Sequence, residues 1–289
     1  MSLEEVIGAT YGPYALAISA EKVAEYVEAT GDHADRWQQH APPSFAGALL
    51  FVAAPHFLAD PRVRPFTGVL VHVDQDFVWH APLSIGTAIV VTGKVDKVRE
   101  RGGAYFVTFS AVVETADGER LLDAVATFLM GEGSAPEGTE KNEPVVWRRE
   151  LNERPSPRPR PGIGEPLTPL RKSASRIDLV KYAAASGDYN PIHFDHDAAV
   201  RAGLDGIVVH GLLMAAWASQ AAAGVSARPD PLAHIKLRFR NALRPGAPAE
   251  VGGSVKDIAS DGADCRLALE VTSGDVKLVT ATCVARLDG

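Results

Sequence analysis

The stretch of sequence best equipped for chemistry is a short polar turn at residues 186–193, which reads SGDYNPIH. It carries a carboxylate, an amide and an imidazole, from Asp188, Asn190 and His193. Imidazole exchanges protons near neutral pH because its ordinary pKa is about 6.5, and a facing carboxylate can hold the same water molecule. A glycine and a proline within the stretch interrupt any helix, so Asp188 and His193 can converge on one water or substrate atom.

Two predicted helices flank this turn. Ser175 can cap the first, a short amphipathic helix in which Ile177 and Val180 recur at helical spacing and which ends at Gly187. The second, at 207–223, is apolar on nearly every side. A helix that is apolar all round is buried all round, and a segment of about 17 residues is short for a membrane span. We therefore expect a curled antiparallel sheet to wrap it, built from the strand-like segments downstream.

The residues around the turn resemble a known family. The pattern Y-x-x-x-S-G-D-x-N-P-I-H is followed by D-H-D-A-A-V-R-A-G and then by I-V-V-H-G-L-L-M. This long motif is similar to that of the MaoC-like or hydratase-2 family, the (R)-specific 2-enoyl-CoA hydratases and 3-hydroxyacyl-thioester dehydratases, on a hot-dog fold. The likeness is close from Ser175 to Ser219 and loose over the rest of the C-terminal half. It implies an α+β protein that reversibly hydrates a trans-2-enoyl thioester to the (R)-3-hydroxyacyl thioester by syn addition.

Adding water to a 2-enoyl thioester needs a base for the water, an acid for the α-carbon and a group that holds negative charge on the thioester oxygen. We predict His193 as the principal base and Asp188 as its partner and proton relay, although the sequence does not order these two roles. Asn190 is expected to orient the water or to fix the turn. The resemblance puts the thioester-binding N–H at Gly211. If the buried helix starts near His210, its first amide groups lack partners there, and a glycine lets the substrate come close.

Further candidates for substrate contact lie on the buried helix and on a later strand. The resemblance implies that Ser219 lies near the substrate, and the alternative is a helix serine bonded to its own turn. His210 precedes the buried helix and is another candidate, with a structural role near the site as the alternative. Arg238 and Arg240 share one strand face and, with Arg244, could meet the phosphates of coenzyme A, although a solvated strand face explains them equally well.

Several other polar residues are expected to be structural. His72 and His80, in the first half, have no set of partner residues around them. Asp195, His196 and Asp197 are expected at a solvated helix start, with Asp197 near the N-cap.

The first half of the sequence repeats the second at low similarity. The matched positions are a cap serine, a tyrosine, the turn aspartate and a helix glycine: Ser19 with Ser175, Tyr26 with Tyr182, Asp32 with Asp188 and Gly47 with Gly211. Two such repeats indicate a duplicated domain, and hence a double hot-dog. Ala34 and Trp37 stand where the second half has Asn190 and His193, so we predict that the first half kept the fold and lost the active site. The resemblance implies that it shapes the acyl-chain pocket.

These patterns predict three regions: residues 1–130 as an N-terminal hot-dog domain, 131–170 as a linker and 171–289 as the catalytic hot-dog domain. Prolines crowd the linker, so we expect it to be extended and semi-rigid, with 145–147 as a short strand or an anchor packed on a domain. Alternating segments bounded by turn residues predict four strands in each half: 69–78, 88–99, 104–115 and 120–130, then 233–240, 249–258, 263–272 and 277–287.

Composition sets outer limits on function. The chain has 289 residues, a net charge of −7 and a pI of about 5.7, which argues against nucleic-acid binding. Its two cysteines match no metal-ligand spacing and are expected to be buried thiols. Glu4 and Glu5 stand where a secretory signal needs positive charge, so we expect a cytoplasmic protein. We expect no membrane span, no metal and no redox cofactor, with coenzyme A or acyl carrier protein carrying the substrate; a homodimer is left open.

Three other functions remain open at this point. A hot-dog thioesterase would hydrolyse the same thioesters, but is expected to lack this turn. His193 and Asp195 form an H-x-D pair that His210 or His234 could complete into a facial triad for non-haem iron. A non-enzymatic acyl-CoA-binding or partner subunit fits the first half alone. The sequence also leaves open the length or branching of the acyl group, including a dicarboxylic one, the carrier and the direction of the reaction.

Overall fold

The computed structural model describes residues 2–132 and 161–288. The first half consists of β1 (Thr10–Ala17), α1 (Ala20–Thr30), α2 (Ala46–Ala59), β2 (Val69–Trp79), β3 (Ala88–Arg101), β4 (Ala104–Thr115) and β5 (Arg120–Gly131). The second half repeats this order with one added short helix, α4: β6 (Leu170–Lys172), α3 (Arg176–Ser186), α4 (His196–Arg201), α5 (Gly211–Ala223), β7 (Leu232–Phe239), β8 (Ala249–Ile258), β9 (Asp264–Ser273) and β10 (Val276–Arg286). All eight predicted strands are present, and their ends differ from the prediction by one or two residues at most.

All ten strands form one antiparallel sheet in the order β1-β3-β4-β5-β2-β7-β10-β9-β8-β6. Each half contributes five strands in matched order, and the two groups meet where β2 pairs with β7. Helix α2 packs on the strands of the first half and α5 on those of the second. The α+β double hot-dog fold is therefore confirmed, with one difference from the prediction: the two sheets are joined edge to edge into one. The joint also removes two of the four exposed strand edges, which limits unwanted pairing with other chains.

The ends of α3 are set by local sequence, as predicted. Ser175 caps the helix by accepting a hydrogen bond from Asp178 N, and the Asp178 side chain bonds back to the cap backbone. Gly187 ends it in the left-handed conformation, at φ 80°. In the first half, Ser19 caps α1 by accepting a hydrogen bond from Lys22 N, and Gly31 ends it in the left-handed conformation. The repeat thus preserves the signals that stop each helix just before the turn.

The buried face of α3 differs from the one that its apolar spacing suggests. Ile177 and Val180 are 44% and 59% exposed. The helix instead buries Tyr182, whose ring lies 5.9 Å from that of Tyr26 in α1. Packing between α1 and α3, a contact between the two halves, decides which side of the helix is covered.

Helix α5 is buried on nearly every side, as predicted, but it begins at Gly211, later than the pattern indicated. Val208 and Val209 lie in extended chain before it, because their N–H groups bond to Ile192 O at 3.2 Å and Leu243 O at 2.8 Å. This start puts the glycine of the motif, rather than the preceding valines, in the first turn of the helix.

Strands β1 and β6 were not predicted, and they occupy matched positions at the two ends of the sheet. The part of the predicted linker that the structure describes, from residue 161, packs on the second half: Leu167 and Leu170 are buried, and Pro166 bridges to Ser254. The buried leucines between the prolines hold this part of the segment on the sheet. The remaining linker, including 145–147, lies outside the described residues.

Two smaller predictions can also be compared with the structure. The cap of α4 is Asp195, which accepts a hydrogen bond from Ala198 N at 3.1 Å, and not Asp197. Both cysteines are buried thiols, as expected. No helix within the described ranges has the length and apolarity needed to cross a membrane.

Candidate active site

A cavity of about 930 Å³ lies between the two halves. Its walls are mostly apolar and come from both halves, including Phe51, Pro55, Leu58 and Phe128 from the first and Leu204, Leu212, Met214 and Phe239 from the second. The turn residues Asp188, Asn190 and His193 also line it. A large apolar cavity with a few convergent polar groups is typical of a small-molecule site.

The structure brings Asp188 and His193 together from the two ends of the turn. Both side chains are nearly buried, with exposures of 7% and 6%. Polar side-chain atoms of these two residues and of His210 all lie within 4.8 Å of one another. One water molecule or substrate atom in the cavity can therefore contact Asp188 and His193 at the same time.

One ring nitrogen of His193 is held by the backbone. Its Nδ1 lies 2.8 Å from the carbonyl oxygen of Val208. Since a carbonyl only accepts, Nδ1 carries the hydrogen and Nε2 keeps a lone pair that can take a proton. Burial lowers the pKa of His193, and the Asp188 carboxylate opposes that shift. The ring is therefore neutral at neutral pH, as a base must be.

The Asp188 carboxyl is shifted in the opposite direction. Burial raises its pKa, and the charge on His193 and the N–H of Asn190 oppose the shift. The Asn190 N–H donates to Asp188 Oδ1 at 3.3 Å. Raising the pKa of the acid and lowering that of the base brings the two values closer, which eases proton exchange between them.

Asn190 holds the turn in place. Its side-chain oxygen accepts a hydrogen bond from Ile192 N at 3.4 Å, and its side-chain nitrogen donates to Leu70 O of β2 at 3.0 Å. The second bond ties the turn of the second half to a strand of the first half. Of the two roles predicted for Asn190, these contacts support fixing the turn.

Helix α5 begins beside the acid–base pair. Gly211 is its first residue and lines the cavity, and no side chain in the described part of the chain caps the helix. The first amide groups of a helix have no intrahelical acceptors and carry a partial positive charge. A Cβ on Gly211 would come within 3.2 Å of the ring of Phe239, so the position has little room for a side chain. The site thus combines an acid–base pair with backbone donors suited to an oxyanion.

Three residues predicted to contact the substrate are not on the described cavity wall. His210 is fully buried behind the turn, and Ser219 is buried within α5. Arg238 Nε donates to Asp74 Oδ1 at 2.7 Å across the junction of β2 and β7. Arg240 does line the cavity. It follows Phe239, the last residue of β7, so its side chain need not point to the same face of the sheet as that of Arg238. Helix packing and strand partners, which the sequence does not reveal, decide these placements.

Two cavity residues of the first half that carry ionisable side chains were missed. His72, expected to be structural, lines the cavity from β2, with its ring 4.9 Å from Phe128 and 5.0 Å from Phe239. Burial lowers the pKa of His72 to about 4, so its ring is neutral. Arg64 also lines the cavity. No pattern in the sequence points to either residue, because both reach the cavity through the pairing of the two halves.

The first half has the matching aspartate but no matching base. Asp32 follows the left-handed cap of α1, as its counterpart follows that of α3. Trp37 stands in the place of His193 and is buried. The carbonyl of Ser44, which matches that of Val208, accepts a bond of 2.7 Å from a tyrosine hydroxyl instead of an imidazole. This half keeps the frame of the site without its proton acceptor.

The cluster around the turn is a poor fit to a metal ion. The rings of His193 and His210 stack with centroids 3.7 Å apart and planes 24° apart, so their in-plane lone pairs run side by side and do not converge. One nitrogen of each ring already lies against a backbone carbonyl. Within the described residues the alternative iron triad is not assembled either: Asp195 caps α4, and His234 bonds to Asp76 at 2.6 Å.

Two family models match the chain, one in each half. Residues 160–272 match the MaoC like domain, and residues 5–124 match the FAS1-like dehydratase domain region. The chain is 30% identical over 151 residues to a UPF0336 protein of Saccharopolyspora erythraea, a match that covers 47% of this chain and 97% of that protein. Over 230 residues it is 25% identical to the 3-hydroxyacyl-thioester dehydratase X of Mycobacterium tuberculosis, which covers 79% of this chain and 70% of that protein.

A solved structure described as a MaoC-like dehydratase shares the double hot-dog fold along almost the whole chain. It aligns with a TM-score of 0.81 at 21% sequence identity, and the alignment covers 99% of this chain and 100% of that one. The family models fall on the two halves that the internal repeat defines, so they confirm the resemblance read from the turn motif. The chain belongs to the MaoC-like hydratase/dehydratase family and is an enzyme of the hydro-lyase class.

Proposed function

We propose that the protein catalyses the reversible syn hydration of a trans-2-enoyl thioester to the (R)-3-hydroxyacyl thioester, or the reverse dehydration. The observation that carries the proposal is the buried Asp188–His193 pair on the wall of a large apolar cavity, beside the first turn of α5. The name of the Mycobacterium tuberculosis relative, a 3-hydroxyacyl-thioester dehydratase, supports the substrate class. The (R) stereochemistry follows from the family resemblance.

In the hydration direction, His193 Nε2 takes a proton from water as the water oxygen bonds to the β-carbon. The electrons of the double bond move toward the thioester, and the negative charge on its oxygen is held at the N–H of Gly211. Asp188, whose pKa is raised by burial, gives a proton to the α-carbon on the same face and recovers one from His193 through water. Acid–base groups contribute about 10²–10⁴-fold in rate and one oxyanion donor about 10²–10³-fold. These steps need no metal and no redox cofactor.

The acyl group would occupy the apolar part of the cavity that the first half contributes, where Phe51 and Leu58 of α2 form the wall. Arg240 and Arg64, which are exposed where they line the cavity, are suited to the phosphates of the carrier, coenzyme A or acyl carrier protein. This division keeps the roles predicted for the two hot-dog domains: the first shapes the acyl pocket and the second carries the chemistry.

The test follows the loss of conjugated enoyl-thioester absorbance with crotonyl-CoA and a longer homologue. We expect the wild type to hydrate at least one of them, and Asp188→Asn and His193→Ala to lose about 10²-fold or more of the rate while remaining folded. Asp32→Asn is the matched control, because it changes the equivalent aspartate of the half that lacks the base. It should keep the wild-type rate.

Two outcomes would show that the hydratase proposal is wrong. If the wild type releases free thiol without adding water, the protein is a thioesterase. If it binds acyl-CoA but neither hydrates the double bond nor hydrolyses the thioester, it is a binding subunit. Unchanged rates in both Asp188→Asn and His193→Ala would place the chemistry elsewhere in the cavity.

A further inference from the structure

His210 contacts both members of the acid–base pair from behind. Its ring stacks on that of His193, with centroids 3.7 Å apart and planes 24° apart. Its Nε2 lies 3.2 Å from the backbone oxygen of Asp188. The next residue along the chain is Gly211, the first residue of α5. One imidazole therefore touches the base, holds the backbone of the acid and directly precedes the backbone donor.

His210 does not reach the substrate itself. It is 0% exposed. The residues directly before and after it in the chain line the described cavity wall, but His210 does not. Since the carbonyl of Asp188 only accepts, Nε2 carries the hydrogen, and the buried Nδ1 has no hydrogen-bond partner among residues 2–132 and 161–288. Burial lowers the pKa of His210 well below its ordinary value, and the charged form of His193 lowers it further. The other titratable ring against it is that of Tyr182, 4.9 Å away. The hydrogen bond to the Asp188 carbonyl opposes the lowered pKa but does not cancel the effect of burial.

The first half supplies an internal comparison. Gly47 matches Gly211, so the residue that matches His210 is Ala46. Ala46 is also fully buried, at the start of its own central helix. The same fold therefore accepts an alanine at this point in the half where Trp37 replaces the base. The imidazole accompanies the active site and not the hot-dog fold.

We propose that His210 is a positioning residue that holds the ring of His193 and the backbone of Asp188 in the geometry that shares one water molecule. The inference rests on the proposed hydratase function. The hydrogen bond at Nδ1 of His193 leaves its ring free to swing about that contact, and the stacked ring on its face prevents the swing. Misplacing a reacting group by about 1 Å can cost about 10²-fold in rate. His210 thus acts on turnover through its neighbours, with little effect on substrate binding.

Three variants separate the two contacts of His210. His210→Ala removes both, His210→Phe keeps a stacked ring, and His210→Asn keeps an N–H donor. We expect His210→Ala to lower kcat about 10- to 100-fold with KM within about threefold of the wild type, and the other two to recover part of that loss. Leu50→Ala is the control, because Leu50 is also fully buried on a central helix and does not line the described cavity wall. It should lower thermal stability and leave kcat unchanged.

The pH profile distinguishes positioning from a merely structural role. In His210→Ala, water can enter the vacated space and reduce the desolvation of His193, so its pKa rises toward 6.5 and the acid limb of kcat/KM moves to higher pH. Asp188, the other ionisable group that faces His193, is unchanged in this variant. His210→Phe fills the space and should keep the wild-type limb. An NMR titration of the His193 ring measures the same shift without any substrate.

The outcomes separate this inference from the proposed function. An inactive wild type contradicts the hydratase function, and the NMR titration then still tests the contact between the two rings. The positioning role is overturned if folded His210→Ala keeps the wild-type kcat and His193 titrates as before. It is also overturned if activity falls only in proportion to the folded fraction, with the acid limb in place.

Discussion

Replacing Gly211 with alanine should separate activity from stability. The new Cβ would lie 3.2, 3.3 and 3.5 Å from three carbons of the Phe239 ring, and the first two distances are tighter than ordinary van der Waals contact. The ring must therefore move by a few tenths of an ångström. Phe239 borders the cavity, so it can move without disrupting the core. Alanine is favoured over glycine within helices by up to about 1 kcal/mol, which offsets the strain.

The same methyl group reduces the space in which the thioester oxygen must bind. An oxyanion lies about 2.7–3.1 Å from its donor, and the Cβ of residue 211 together with the displaced Phe239 ring pushes the oxygen away from that position. Because a displacement of about 1 Å can cost about 10²-fold, we expect kcat/KM with crotonyl-CoA to fall about 100-fold in Gly211→Ala. The melting temperature should change by only a few degrees. Steady-state loss of enoyl absorbance and thermal denaturation of the same samples measure the two effects.

The matched control is Gly47→Ala, at the equivalent glycine of the first half. Its Cβ would meet Leu212 at 3.4 Å and the hydroxyl of Tyr26 at 3.8 Å, which are ordinary contacts. Gly47 is not on the described cavity wall, so this variant should keep the wild-type kcat/KM. If folded Gly211→Ala also keeps the wild-type rate, its N–H does not bind the thioester oxygen and the reasoning is refuted.

Other predictions concern the turn, the cationic groups of the cavity and pH. Asn190→Ala loses both bonds that fix the turn, so we expect it to lower the free energy of unfolding by about 1–2 kcal/mol and to reduce kcat more than it raises KM, as measured by urea denaturation and steady-state kinetics. Arg240→Gln should raise KM for CoA thioesters in a salt-dependent way. Arg238→Gln should not, because the Arg238 guanidinium is paired across the sheet and is not on the described cavity wall. Equal effects of the two substitutions would contradict the role of Arg240 in binding the carrier phosphates. Burial lowers the pKa of His193, so the neutral base persists below pH 6.5 and kcat/KM should fall on the acid side only below that value; an acid limb above pH 6.5 would oppose His193 as the base.

Most of the secondary structure followed from local sequence. Ser175 and Gly187 set the ends of α3, and turn residues bounded all eight predicted strands to within two residues. Such signals work because capping and turn formation depend on neighbours a few positions away. Strands β1 and β6 lay beyond this reach, because their register depends on partners elsewhere in the sheet. The repeat was enough to predict the doubled fold, but not that its two sheets are continuous.

The limits of the sequence are clearest where alternation or spacing fitted two environments equally well. Ile177 and Val180 match a helical stripe, yet the face that contacts α1 is a different one. Arg238 and Arg240 alternate on one strand, yet a carboxylate of the neighbouring strand pairs with the first while the second reaches the cavity. Periodicity shows which residues share a face, but the element that covers that face is known only after folding.

By itself, the sequence determined the chemical groups of the site: a carboxylate, an amide and an imidazole in one turn, and a glycine in the buried helix. The tertiary structure decided how those groups are held and what surrounds them. The Val208 carbonyl fixes the tautomer of His193, His210 stacks behind that ring, and His72 enters the cavity from the other half. These contacts join residues that are distant in the chain, and their strength comes from burial and orientation in three dimensions, which no local pattern encodes.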